Sequence, residues 1–211
     1  MSLFDKSVLT KNGLNLHAIF NVCDLPSEVY KKLGLQVQGL SQYKQLILIG
    51  HSGQRLWEAM QEAGFHTDNP IDDFTIRHLK RFFTDELPNH TFSIIYPSSK
   101  PINLQKLGEL AGWHHDSPLR IGVNDLWGSW FAYRAVILTD TQLSTTQKLE
   151  ITSPCLNCKD KPCITSCPAD AITTGSLDLD RCISYRKRHD SSCKDTCHAR
   201  TSCPVAKEQA Y

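Results

Sequence analysis

Eight of the nine cysteines fall between positions 155 and 203, and their spacing sets the chemistry open to this chain. The first four read Cys155-x2-Cys158-x4-Cys163-x3-Cys167-Pro168; the others are Cys182, Cys193, Cys197 and Cys203-Pro204. Thiolates are soft ligands, and four at such spacing can converge on one soft metal centre. Two centres would use every cysteine of this region. Four-thiolate zinc and an iron–sulfur cluster both accept such a donor set. Disulfides suit small secreted proteins, and residues 2–15 lack the basic start and apolar run of a secretory signal. A cytoplasmic location with free thiols is therefore expected. Cys23, far from the rest, reads as a small buried hydrophobe.

The Cys-Pro endings resemble the cluster sites of bacterial-type ferredoxins, in which a closing Cys-Pro leads into a short helix, here expected over Ala169-Asp170-Ala171-Ile172. In two-cluster ferredoxins the cysteine before proline ligates the other motif's cluster. That resemblance implies two [4Fe–4S] clusters, one on Cys155, Cys158, Cys163 and Cys203, the other on Cys182, Cys193, Cys197 and Cys167. Thr173–Asp180 reads as a turn and short strand leading into Cys182, similar to the ribbon that links the two ferredoxin halves. The second motif is the looser, with gaps of ten, three and five residues. The Cys-Pro endings favour iron–sulfur over zinc, which stays open as a structural alternative.

The elements that must position these residues are best defined before residue 150. Leu46-Ile47-Leu48-Ile49 is a continuous apolar run, the mark of a strand buried on both faces. It leads into Gly50-His51-Ser52-Gly53, read as a turn whose free backbone N–H groups could face an anion. Leu56, Met60 and Ala63 then recur at helical spacing up to Gly64. Asn69-Pro70 opens another helix, with Asp72 and Asp73 near its positive end and Leu79, Phe82 and Phe83 on its buried side. Phe92–Ile95 is a short strand, Leu104, Leu107 and Ala111 mark a helix closed by Gly112, and Trp130–Leu138 reads as a long strand. Arg134 sits mid-strand on the face of Trp130, Ala132, Val136 and Leu138, where a guanidinium needs a carboxylate or a ligand anion. His114-His115 points apart as neighbours do and reads as loop. Turn-forming composition over 144–153 places a domain boundary near residue 150, giving a first domain over 1–150 and a cysteine module over 151–211.

Composition excludes several classes. The hydrophobic content of 40% supports a core, and no stretch approaches the ~18 apolar residues of a membrane span. A net charge of +1 offers no strong field for nucleic acid. After residue 150, nine Lys and Arg stand against seven Asp and Glu, and Arg186-Lys187-Arg188 reads as a solvated face rather than an RNA site.

Ser117-Pro118-Leu119-Arg120-Ile121-Gly122-Val123, followed by Gly128-Ser129-Trp130-Phe131-Ala132-Tyr133-Arg134-Ala135-Val136, resembles a segment of two corrinoid-using groups. One is the cobalamin-processing chaperones. The other is epoxyqueuosine reductase with its reductive-dehalogenase relatives, where a two-cluster module follows and its second group opens like Arg181-Cys182-Ile183-Ser184-Tyr185. Short bacterial ferredoxin-like proteins are also similar, sharing Gly50, Gly53, Leu56 and Trp57. The resemblance implies a nitroreductase-like α/β (α+β) domain followed by a dicluster ferredoxin module, with cobalamin or another corrinoid near Trp130, Arg134, Gly50 and Gly53. It implies an oxidoreductase fed by a redox partner protein, or an electron carrier or adaptor for such a partner. The acidic residue that epoxyqueuosine reductase uses to protonate its substrate has no counterpart in Phe92–Pro97, and Gly112-Trp113-His114-His115 replaces its Gly-Trp-Ile-Gly-Lys segment. The tRNA-modifying reaction itself is therefore not expected.

Overall fold

The computed structural model describes residues 6–147 and 152–205. The described residues separate into two compact units, one of 6–107 with 132–147, the other of 108–131 with 152–205. Residues 108–131, read from the sequence as part of the first domain, thus pack with the cysteine segment. The expected boundary itself falls on 148–151, outside the described residues.

The first unit is built on a four-stranded sheet. Its elements in chain order are α1 (Ser7–Lys11), β1 (Leu16–Asn21), α2 (Ser27–Gln36), β2 (Gln45–Ser52), α3 (Arg55–Glu62), α4 (Pro70–Glu86), β3 (Phe92–Tyr96), the first turn of α5 (Leu104–Leu110), whose remainder belongs to the second unit, and β4 (Phe131–Thr139). The sheet order is β1-β2-β4-β3, with β1 antiparallel to β2 and β3 antiparallel to β4. The central position of β2 and β4 explains their apolar runs: Leu46–Ile49 and Ala135–Leu138 are fully buried, as strands covered on both faces must be.

α4 begins at Pro70 behind Asn69 and carries Asp72 and Asp73 in its first turn, where the helix dipole favours them. Its buried face, Phe74, Leu79, Phe82 and Phe83, packs into one core with Ile47, Ile49, Met60 and Ile137. α3 ends in a Schellman arrangement: Gly64 takes a φ of 57°, Phe65 N–H donates to Met60 C=O and Gly64 N–H to Gln61 C=O. Buried Gln45 keeps both ends of its amide bonded, donating to Leu143 C=O and Asn21 Oδ1 while accepting from Leu143 N–H and Thr141 Oγ1. Full satisfaction makes this buried polar group tolerable.

Gly50, His51 and Ser52 continue β2 instead of forming a turn, because Gly50 pairs with Leu16 in the ladder. The Ser52 N–H donates to Asn15 Oδ1 at 2.9 Å, so it does not face an anion, and only Gly53, at φ 72°, turns. Cys23 is exposed rather than buried, in a short 3₁₀ turn with its Sγ 3.5 Å from Asp24 Oδ1.

The second unit has little regular structure: α6 (Pro154–Asn157), α7 (Pro162–Thr165), α8 (Leu179–Arg186) and α9 (His198–Thr201). Its core joins Leu119, Ala171, Ile172 and Ala199 to the buried thiols of Cys163 and Cys167. The helix expected over Ala169–Ile172 is absent. Pro168-Ala169 is a turn closed by Asp170 N–H to Cys167 C=O, and Asp170 reverses the chain at φ 46°. The short helix instead precedes the Cys-Pro, as α7. The expected ribbon is a single bridge, Ile172 to Leu177, around a Thr173–Ser176 turn. Asp178 then caps α8 by accepting from Arg181 N–H, so Cys182 sits on a helix rather than at the end of a strand.

Candidate metal centres and the Arg134 site

The structure brings the cysteines together in two sets. Cys155, Cys158, Cys163 and Cys203 line one small cavity, closed by Pro118, Pro154, Pro162, Pro204 and Val205. Burial pushes the Cys155 thiol up to about 11, and the nearness of Cys203, Cys163 and Cys158 pushes the same way against Lys161. Cys163 is raised for the same reasons, burial first, then Cys203 and Cys158. The second set surrounds Cys182, whose thiol is raised by burial, then by Cys197, Cys167 and Cys193, with Arg186 opposing. Cys203 thus stands with the first motif and Cys167 with the second.

Cys155, Cys163 and Cys182 are raised first by burial and then by neighbouring thiols, the surroundings of a donor set that lacks a cation. A cationic core removes the mutual repulsion, because a bound metal deprotonates a coordinating thiol outright. Among the described residues, no three His, Cys, Asp or Glu side chains close on a point as they would around a single metal ion.

The helices that carry the thiols are too short to hold position by themselves, and other contacts do so. Arg200 lies on α9, between Cys197 and Cys203 in sequence. Its guanidinium donates to Ser129 C=O at 2.6 Å and Ser129 Oγ at 3.2 Å, and stacks 4.1 Å over the Trp130 ring. One face of Trp130 is therefore covered by a cation. No spacing in the sequence pointed to this clamp.

A cavity of about 470 Å³ adjoins the first thiol set and shares Pro118, Cys155 and Lys161 with it. Arg120 and Lys161, its two lining cations, both hold left-handed backbone, at φ 57° and 39°. His114 in its wall is buried, and burial holds its imidazole below the ordinary value. Gly122 must lack a side chain, since a Cβ there would strike the His114 ring. His115 is held by a two-way backbone bridge to Val123, so the pair is not free loop.

Arg134, in the first unit, has a protein partner of a kind not expected from the sequence. Its Nε–H donates to His51 Nδ1 at 2.8 Å, so a neutral imidazole, not a carboxylate, takes the bond. Burial, then the Arg134 charge, lowers His51 to about 4 and keeps it neutral. Burial lowers Arg134 itself, opposed by Tyr96 and Asp72. Gly53 has open space where a Cβ would stand.

No protein-family model and no curated protein matches the sequence. Solved structures do match. An epoxyqueuosine reductase solved with an epoxyqueuosine-modified tRNA-Tyr stem-loop aligns at TM-score 0.61 and 15% identity, over 99% of this chain and 65% of that one. A catabolic reductive dehalogenase solved with 3-bromo-4-hydroxybenzoic acid aligns at TM-score 0.58 and 14% identity, over 93% of this chain and 30% of that one. A B12-trafficking protein of C. elegans aligns at TM-score 0.41 and 12% identity over 75% of this chain and 77% of that one, a likeness too weak to carry an argument. The chain therefore shares the mixed α/β fold of redox enzymes while spanning under two thirds of the reductase's length. Among the described residues no helix is long and apolar enough to cross a membrane.

Proposed function

We propose that this is a redox protein whose cysteine module holds two [4Fe–4S] clusters and relays electrons to a corrinoid bound by the first domain. The observation that carries the reading is the grouping of eight thiols into two fours, each drawing its Cys-Pro cysteine from the other motif. Zinc fits less well. The two Cys-Pro endings, Cys167-Pro168 and Cys203-Pro204, resemble ferredoxin cluster sites more than four-thiolate zinc sites. A four-iron core takes the same donors around a larger centre.

When bound, such clusters supply one-electron transfer at low potential. The chain's own part is to hold eight thiolates in fixed register, to exclude water from the first set with four prolines, and to leave the second set nearer solvent. The corrinoid is supported by the shared fold and by the Ser117–Arg134 resemblance. The reading as an electron carrier for a partner protein, with no corrinoid, has its own support. Arg134 is bonded to His51 and one face of Trp130 lies under Arg200, so two of the groups expected to meet a corrinoid already have partners.

Anaerobic reconstitution separates these readings. Two clusters require about eight iron and eight sulfide per chain and a band near 400 nm, about where such centres absorb, that bleaches with dithionite. Stoichiometric zinc without sulfide refutes the cluster reading. Titration with cob(II)alamin should shift its spectrum from base-on to base-off; an unchanged spectrum with cluster-loaded protein leaves the electron-carrier reading in front.

A further inference from the structure

The two thiol sets differ in how they meet the surface, and that difference bears on how electrons enter. In the second set Cys197 is exposed and Cys182 half-exposed, and α8 next to them presents Leu179, 60% exposed, and Ile183, 45% exposed, one turn apart. Residues four apart share one helix face, so these two form a single apolar spot.

The segment that carries it is rich in cations. Residues 179–200 carry six Lys and Arg against three Asp, a balance of +3, which leaves −2 for the rest of a chain whose net charge is +1. Arg181 and Arg188 are offset by Asp170, at 3.9 Å, and Asp190, at 3.0 Å. Arg186, Lys187 and Lys194 are exposed, and Arg186 reaches over to Lys194 C=O at 3.5 Å. An oxidised cluster with four thiolates carries a formal charge of about −2. With both sites loaded the segment stays near +1 while the remainder falls to about −4, so the polarity survives loading.

We propose that the exposed face of α8, with Lys187, Lys194 and Cys197, is the docking surface for an acidic electron-carrier protein. The proposal rests on the two-cluster reading. A local positive field on a chain negative elsewhere orients an anionic partner with this face first and raises its association rate. The Leu179–Ile183 spot supplies the apolar centre that a small protein interface requires, with charges kept to the rim. Nucleic acid fits this surface less well, because the exposed apolar side chains of Leu179 and Ile183 offer phosphates no donor.

The test uses the full chain loaded with iron and sulfide, reduced in stopped flow by either dithionite or a reduced flavodoxin of strongly negative net charge. Flavodoxin-driven bleaching should slow as salt rises. The Lys187→Glu/Lys194→Glu variant should slow it about tenfold or more, with iron content and dithionite bleaching unchanged. Leu179→Ser should slow it too, while keeping the wild-type salt dependence. Flavodoxin reduction of the charge-reversed protein at the wild-type rate, or no salt effect, would overturn the proposal. So would a reversal that leaves flavodoxin reduction intact and abolishes binding of a tRNA stem-loop, which would make the face a nucleic-acid site. Failure of dithionite to bleach the loaded wild-type protein would instead strike the cluster reading beneath it.

Discussion

The sheet unit and the cysteine unit are held together by different means. The sheet unit buries seventeen apolar side chains in one cluster, among them Phe74, Phe82 and Phe83 from a seventeen-residue helix. The cysteine unit buries six in its cluster, two of them thiols, and three of its four helices are four residues long. Packing suffices for the first. In the second, two of the six core residues, Cys163 and Cys167, are also candidate metal ligands, so under the two-cluster reading its folding and its loading should be coupled.

The largest effect is therefore expected on stripping the metal, which should unfold one unit and spare the other. After anaerobic chelation, hydrogen exchange should leave the amides of β2 and α4 protected while those of α7, α8 and α9 lose at least ~3 kcal/mol of protection. Equal protection of both units in the metal-free chain would mean that the cysteine unit packs well enough alone.

The next largest effect distinguishes the two thiol sets. Cys203→Ser should remove about half the iron, from the set of Cys155, Cys158 and Cys163, although it lies far downstream of them. Cys167→Ser should remove the other half, from the set of Cys182, Cys193 and Cys197. Iron analysis with paramagnetic resonance of the reduced protein reads both. Loss of the local cluster in each case would make ligation uncrossed.

Within the sheet unit a pH effect of intermediate size is expected. His51 is near 4 in the folded chain and 6.5 when unperturbed, so the unfolded chain binds the extra proton. Its contribution is complete above pH 6.5 and is lost as pH falls toward 4. Allowing for partial exposure, that is about 2 kcal/mol. His17, held near 4 by burial and Lys6, adds in the same direction. His51→Gln, whose carbonyl can still accept from Arg134, should flatten part of the pH dependence of urea unfolding between pH 7 and 4. A variant with the wild-type slope would show that His51 titrates alike in the folded and unfolded chains.

The sheet unit was largely legible from hydrophobic period. Leu46–Ile49, the Asn69-Pro70 start and the Gly64 stop are strong local signals, and each element stands within a few residues of its expected place. β1 and α2 were not read, because Leu16–Asn21 shows no clean alternation of buried and exposed positions and α2 leaves Tyr30 and Leu35 in solvent. In the cysteine unit, spacing was legible and secondary structure was not. Asp170 at positive φ and the Asp178 cap redirect the chain over one or two residues, too locally for any periodicity to register. The Arg134–His51 bond and the Arg200 clamp are long-range pairings between residues that no motif joins.

The smallest effect belongs to the ninth thiol. Cys23 lies in the sheet unit, exposed, with its sulfur 3.5 Å from Asp24 Oδ1. It fills no part of the apolar core, so Cys23→Ser should leave stability within about 0.5 kcal/mol of wild type, as surface changes do. It belongs to neither thiol set, so iron and sulfide content should also be unchanged. An exposed thiol can still be alkylated, and a single iodoacetamide adduct on the loaded protein should map to Cys23, because the other eight sulfurs would be occupied. On the metal-free chain the same reagent should label the 155–203 cysteines as well. Mass spectrometry counts the adducts. Loss of iron in Cys23→Ser, or protection of Cys23 in the loaded protein, would place this residue in a metal site and undo the division between a unit that packs and a unit that binds.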